Sequence, residues 1–191
     1  MEFKMKFYKT IILLLAINLS GCVAAVVAGA AAGAIIYDGR GAIIIARDTK
    51  IDFLINAEIA KDKRFKNSRI IVTSFGQAVL LVGETQAATL RVLAGKIAAK
   101  TKYVARVYNE ISIKEPIGMA DRAKDTWITG EVRGQMLMRK GLESGSIRVV
   151  TENSVVYLMG VVSKEQAFLA VDVARHVRGV SRVVKVFKYV N

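Results

Sequence analysis

Residues 69–84, RIIVTSFGQAVLLVGE, and residues 148–162, RVVTENSVVYLMGVV, are two versions of one phrase. In each, two short runs rich in Val, Ile and Leu flank a break, Ser74-Phe75-Gly76 in the first and Glu152-Asn153-Ser154 in the second. Runs of this kind around such a break read as a β-hairpin. The likeness extends outward. Ile70-x-Val72 recurs as Ile147-x-Val149, and Val79-x-Leu81-x-Gly83 as Val156-x-Leu158-x-Gly160, each at an offset of 77 residues. Upstream, Asp48-Thr49 recurs as Asp125-Thr126 at the same offset. Downstream, Val104-x-Arg106-Val107 matches Val180-x-Arg182-Val183 at an offset of 76, so one residue is gained or lost between, which we place near the end of the intervening helix. The chain is a tandem repeat.

Each unit reads the same way. A helix is expected to start at each Asp-Thr pair, with Asp48 or Asp125 as N-cap. Ile51, Ile55 and Ile59, then Ile128, Val132 and Met136, recur every four positions and form its core row. The hairpin follows. A second helix is expected over 86–100 and 164–177, and a last strand over 105–113 and 181–190. The fold class is α+β, with two α-β-β-α-β units. A helix joins the second and third strands, so they run parallel by a right-handed crossover. Each unit is then a three-stranded mixed sheet with two helices on one face. Units of roughly 70 residues sit near the lower limit for independent folding, so the two are expected to pack on each other. The units span 47–114 and 125–191. The linker, 115–124, carries the only proline, Pro116, and Gly118. Gly83 and Gly160 are structural glycines at the end of the second strand, where a positive φ or a close helix approach excludes a Cβ.

The 191 residues carry 29 basic and 16 acidic side chains, for a net charge of +13, and 53% are apolar. That much apolar material excludes wholesale disorder. One Cys and one His exclude an intramolecular disulfide and any multi-histidine metal site. Lys4, Lys6 and Lys9 form a positive leader, followed by the apolar run Ile11–Leu19 and then Leu19-Ser20-Gly21-Cys22. The run is short for a membrane span. The order resembles the bacterial lipobox. It predicts a lipoprotein signal peptide over 1–21, with a covalent diacylglycerol and an N-acyl chain on Cys22. Several acyl chains anchor a protein stably where one is marginal. The alternative is an uncleaved anchor, since 11–36 is apolar apart from Asn18 and Ser20. Residues 22–46, the acylated Cys and an Ala/Gly-rich stretch, read as a tether. Either reading exports the rest of the chain. An exported basic chain does not meet nucleic acid; its charge points to anionic lipid or other acidic envelope material. A generally basic surface is the alternative.

Val-x-Leu-x-Gly before the second helix and Gly-Val-x-x-Val before the last strand resemble BON domains. Gly179-Val180-x-x-Val183 fits fully, whereas Tyr103-Val104-x-x-Val107 departs at the glycine. Together with the lipobox and tether, the chain resembles the dual BON-domain outer-membrane lipoproteins over essentially its whole length. Further likenesses are Val107-Tyr108-Asn109-Glu110-Ile111, Pro116-Ile117-Gly118 and Asp125-Thr126-Trp127-Ile128-Thr129. The resemblance implies a non-enzymatic lipoprotein on the periplasmic face of the outer membrane. Val23 after Cys22, in place of Asp, accords with that sorting. It implies support of envelope integrity at the division site, and recognition of anionic phospholipid (phosphatidylglycerol or cardiolipin) by the first helix of the second domain. Outer-membrane assembly machinery and peptidoglycan amidase regulators are the implied protein partners.

The repeat tests the lipid reading independently. Trp127 corresponds to Lys50 and Met138 to Lys61, so both are expected to face solvent. On a helix, Trp127, Gly130, Glu131, Gly134 and Met138 share the face opposite Ile128, Val132 and Met136. The candidate phospholipid-binding residues are Trp127, Arg133, Gly134, Leu137, Met138 and Lys124. A Trp among cations suits the headgroup layer. The alternative is that Trp127 packs on the first unit or the linker, leaving a tethered protein-interaction adaptor. No catalytic residues are assigned: there is no carboxylate pair, nucleophile elbow or metal-ligand spacing. No cofactor is expected beyond the acyl chains on Cys22.

Overall fold

The computed structural model describes residues 41–190. The expected signal peptide, the lipidation at Cys22 and the tether as far as Arg40 lie outside them. The first unit runs α1 (Ala42–Lys61), β1 (Arg69–Phe75), β2 (Ala78–Thr85), α2 (Ala88–Lys100), β3 (Arg106–Asn109) and β4 (Ser112–Ile113). The second runs α3 (Met119–Met138), β5 (Ile147–Glu152), β6 (Val155–Val162), α4 (Lys164–His176) and β7 (Arg182–Tyr189). In both, a hairpin is antiparallel and the last strand joins its second strand in parallel. This is the expected α-β-β-α-β order.

The expected last strand of the first unit is interrupted, however. Ile111 turns into the core, so β3 and β4 pair separately with β2 and this sheet counts four strands. The single-residue change of offset also falls elsewhere than expected. Two residues join β2 to α2 and one joins β6 to α4, while the two helices have equal length. The difference therefore precedes the helix, in a loop that tolerates it, rather than following it.

The helices of each unit cover one face of its sheet. Ile51, Ile55, Ala94 and Ala98 pack on Val79 and Leu81; Ile128, Val132, Met136, Ala170 and Ala174 pack on Val156 and Leu158. The two free faces then pack on each other. Phe75, Leu80 and Val82 of the first sheet meet Tyr157, Met159 and Val186 of the second. The layers are helix, sheet, sheet, helix. Successive strand residues point to opposite faces, so a central strand buried on both reads as an unbroken apolar run. Val79-Leu80-Leu81-Val82 is that run. An ion pair bridges the units, from Arg69 to the buried Glu152.

The first helix of each unit begins earlier than its Asp-Thr pair suggests. Gly41 and Gly118 precede α1 and α3, and neither cap is a side chain. Asp48 and Asp125 sit mid-helix and buried, so they are not N-caps. Each carboxylate instead accepts hydrogen bonds from both amides of a hairpin turn. Asp48 takes Gly76 and Gln77, each at 2.8 Å. Asp125 takes Asn153 at 2.6 Å and Ser154 at 2.8 Å. The turn residues are thus Gly76-Gln77 and Asn153-Ser154, all with φ between 50° and 66°. Paired positive φ values make the tight turn whose twist suits a hairpin. The Asp repeats because each hairpin needs its two turn amides satisfied.

The two strand glycines have different causes. Both lie within the second strand, facing the first rather than a helix. Gly83 has φ +114°, and a Cβ there would lie 2.0 Å from the Arg69 carbonyl oxygen. Gly160 has no positive φ; its Cβ would lie 2.7 Å from the Ser146 carbonyl oxygen.

Candidate functional site

α3 is a 20-residue helix that lays one row in the core: Asp125, Ile128, Val132 and Met136. On the opposite face, Met119, Ala123, Trp127, Gly130, Gly134 and Met138 recur at spacings of three and four and are exposed. Trp127 keeps 46% of its surface in solvent, Met119 84% and Met138 78%; Leu137 is exposed beside them. This is an apolar stripe on a helix whose own core row is complete. Packing of the first unit does not explain it. Trp127 instead lies under the Arg178 guanidinium, 5.8 Å from the ring centroid. Such a contact is worth about 0.5–1 kcal/mol at an exposed site.

The predicted cations separate into two groups. Lys124 is exposed on one flank of the stripe. Arg133, on the other, turns its guanidinium back onto the sheet and donates to the Val149 carbonyl at 3.1 Å. Burial, with help from Arg148, holds its pKa below the usual arginine range. Its head is committed to the fold. Arg122 likewise donates to the Ile117 carbonyl, and Arg139 faces Asp172 at 3.4 Å. Lys140 is exposed at the end of the helix. Gly130 and Gly134 have open space where a Cβ would stand, so neither is required for packing.

Sequence reasoning missed two members of this face. Met119 escapes when the helix is begun at Asp125; Gly118 before an apolar residue was the available signal. Arg178 comes from the turn after α4, and no local pattern places it over Trp127. The lone His176 is an exposed residue beside Asp172. Among the described residues, no cluster of three acidic, His or Cys side chains is placed to hold a metal. No described helix is long and apolar enough to cross a membrane.

The BON domain model matches residues 47–115 and 124–191. The outer membrane lipoprotein DolP of Haemophilus influenzae is 33% identical over 177 residues, 92% of each chain. This chain belongs to that family of dual BON-domain outer-membrane lipoproteins. A 21 kDa hemolysin of Actinobacillus pleuropneumoniae is 34% identical over 154 residues, 80% of this lipoprotein and 79% of the hemolysin. The C-terminal domain of CdsD, the structural protein of the Type III secretion system of Chlamydia trachomatis, aligns with 10% identity and a TM-score of 0.32. That alignment covers 80% of the lipoprotein and 100% of the domain. Family membership gives the chain its place, the outer membrane, and accords with a lipobox outside the described residues.

Proposed function

We propose that this lipoprotein is a non-enzymatic anchor-and-sensor on the periplasmic face of the outer membrane. Cys22 carries the acyl chains, and the exposed face of α3 binds anionic phospholipid, phosphatidylglycerol or cardiolipin. The observation that carries the reading is the stripe Met119-Trp127-Leu137-Met138, exposed opposite a complete core row. The corresponding face of α1 carries Lys50 and Lys61 in the places of Trp127 and Met138. One copy of the repeat therefore presents Trp and Met at two positions where the other presents lysines, although α1 exposes Phe53, at 71%, in the place of Gly130. Trp and Met seat in the headgroup and acyl boundary. Lys124, Lys140 and Arg178 supply charge at about 1 kcal/mol each near an anionic surface, which Glu131 partly opposes. Through this contact the lipoprotein supports envelope integrity at sites rich in anionic lipid, the division site among them.

Trp127 is the only tryptophan, so its emission reports its own surroundings. The unlipidated chain from Val23 onward is mixed with phosphatidylglycerol or cardiolipin vesicles, and with zwitterionic vesicles, at low and high salt. The expected result is a blue shift and co-sedimentation with anionic vesicles alone, reversed by salt. No shift with any vesicle overturns the lipid reading. Binding that survives Trp127→Glu places the contact on another surface.

A further inference from the structure

We propose that the free edge of β7, with the groove between it and α4, takes up an extended acidic segment of another polypeptide as an added strand. β7 is eight residues long and, among the described residues, pairs only with β6. Its other edge presents a row of amides and carbonyls without a strand partner, the template for strand addition. Beside that edge lies a groove of about 390 Å³ lined by Lys164, Ala167, Phe168, Val171, Lys185 and Tyr189. Phe168 is 67% exposed and Tyr189 49%. The groove offers an apolar floor with a lysine on each rim, set where alternate side chains of an incoming strand would point.

The first unit shows what a closed version looks like. Its last strand is broken into β3 and the two-residue β4. The edge of β3 is clasped to α2 from both sides. Arg91 donates to the Asn109 carbonyl at 3.1 Å, and Asn109 donates its side-chain amide to the Arg91 carbonyl at 2.8 Å. Aligned on the two helices and on the strand pairing, these positions are Ala167 and Lys185 in the second unit. No such clasp forms there, and the strand runs unbroken. One fold thus carries a sealed edge and an open one.

Charge selects the occupant. The exposed side chains of β7 include Arg182, Lys185 and Lys188, and the strand has no acidic residue. A second copy would set these cations against each other, which disfavours self-pairing. An acidic strand meets opposite charge along its whole length.

The test uses the full lipidated chain in detergent micelles. The probe is a fluorescent peptide of the length of β7, alternating Val and Glu, with an alternating Val-Lys peptide as counterpart; anisotropy gives the affinity. The acidic peptide is expected to bind at least tenfold more tightly than the basic one. Phe168→Ser should weaken it at least tenfold. Lys164→Glu combined with Lys185→Glu should reverse the preference. All three positions line the surface groove, and circular dichroism checks that the fold is kept. Trp127→Glu should leave peptide binding unchanged, which separates this surface from the lipid-binding face. Equal binding of the two peptides, or binding indifferent to Phe168→Ser, overturns the proposal. So does a dimer by sedimentation that Phe168→Ser abolishes, which would make a second copy the occupant. Loss of peptide binding on adding anionic vesicles would assign the groove to lipid and overturn it too.

Discussion

Asp125 shows why a buried carboxylate recurs once per unit. It sits in the middle of α3, yet both its oxygens serve the turn between β5 and β6. Asn153 and Ser154 hold φ of 50° and 63°, conformations that cost a residue with a side chain roughly 1–2 kcal/mol. Two charge-assisted hydrogen bonds offset that cost and fix the hairpin against the helix. Asp125→Ala leaves both amides without their acceptor. Each such loss costs about 1–3 kcal/mol, so urea unfolding should show a destabilisation of about 2–6 kcal/mol. A cost below that range would mean water replaces the carboxylate. Glycines divide the same way, by what surrounds them. Gly83→Ala forces a Cβ into the Arg69 carbonyl at a positive φ and should cost about 3 kcal/mol or more. Gly134→Ala meets open space in a helix interior and should stabilise by about 1 kcal/mol. The same unfolding curves check both. Tyr103 belongs here too: it holds φ +76° where Gly179 in the second unit holds +92°. The family's glycine is absent from the first unit, but the backbone conformation it serves is kept. Arg47 and Lys102 lie over the Tyr103 ring at 5.4 and 5.0 Å.

At the scale of the element, α3 carries what distinguishes the second unit from the first. Trp127→Lys with Met138→Lys gives it the charges that α1 carries at Lys50 and Lys61. Fully burying one such apolar side chain is worth about 1.5–3 kcal/mol. The pair should therefore weaken binding to anionic vesicles more than tenfold, despite two added positive charges. Stronger binding, measured by co-sedimentation, would mean that charge alone drives association. Gly134→Ala sharpens the same point, since it should leave vesicle binding unchanged if the glycine has no close-approach role. Much of this face was legible in the sequence, because comparing the two copies separates core positions from free ones without any structure. Ile128, Val132 and Met136 match isoleucines in the first copy; Trp127 and Met138 match lysines. What was not legible depends on groups far apart in the chain. An Asp before an apolar helical row has the pattern of an N-cap, and only the hairpin's position shows that its partners lie 28 and 29 residues away. Arg133 looks like a lipid contact until Val149 is seen to take its guanidinium. Arg178 is brought over Trp127 only by the turn that returns from α4.

At the scale of the molecule, the two units share a core, and that fixes how the lipoprotein unfolds. Leu80 and Val82 of one sheet have Tyr157 and Met159 of the other as their cover. Met159→Lys puts an unpaired charge into this layer and should cost about 3–5 kcal/mol. Hydrogen exchange should quicken in β1 and β2 as well as in β5 and β6; faster exchange in the second unit alone would mean the units fold separately. The ion pair across the same layer makes stability depend on pH. Burial raises the pKa of Glu152 above its ordinary 4.5, against the opposing pull of Arg69. Asp52, half-buried beside Ser74, is raised for the same first reason. A raised carboxyl binds its proton more tightly folded than unfolded, so its favourable contribution is complete at low pH and is lost as pH rises through the folded pKa. Both groups therefore make stability fall with rising pH, Asp52 from just above its ordinary 3.8 and Glu152 from just above 4.5. Asp62, accepting hydrogen bonds from Arg64, pulls the opposite way at lower pH. Glu152→Gln keeps an acceptor for Arg69 but removes the titration. Just above 4.5 its unfolding free energy should decline less steeply with pH than that of the wild type, and the two curves should converge at low pH, where Glu152 is protonated. A variant that instead loses stability most at high pH would show that the ionised pair with Arg69 outweighs the cost of burying it, and that the units are clamped by charge rather than by their shared apolar layer.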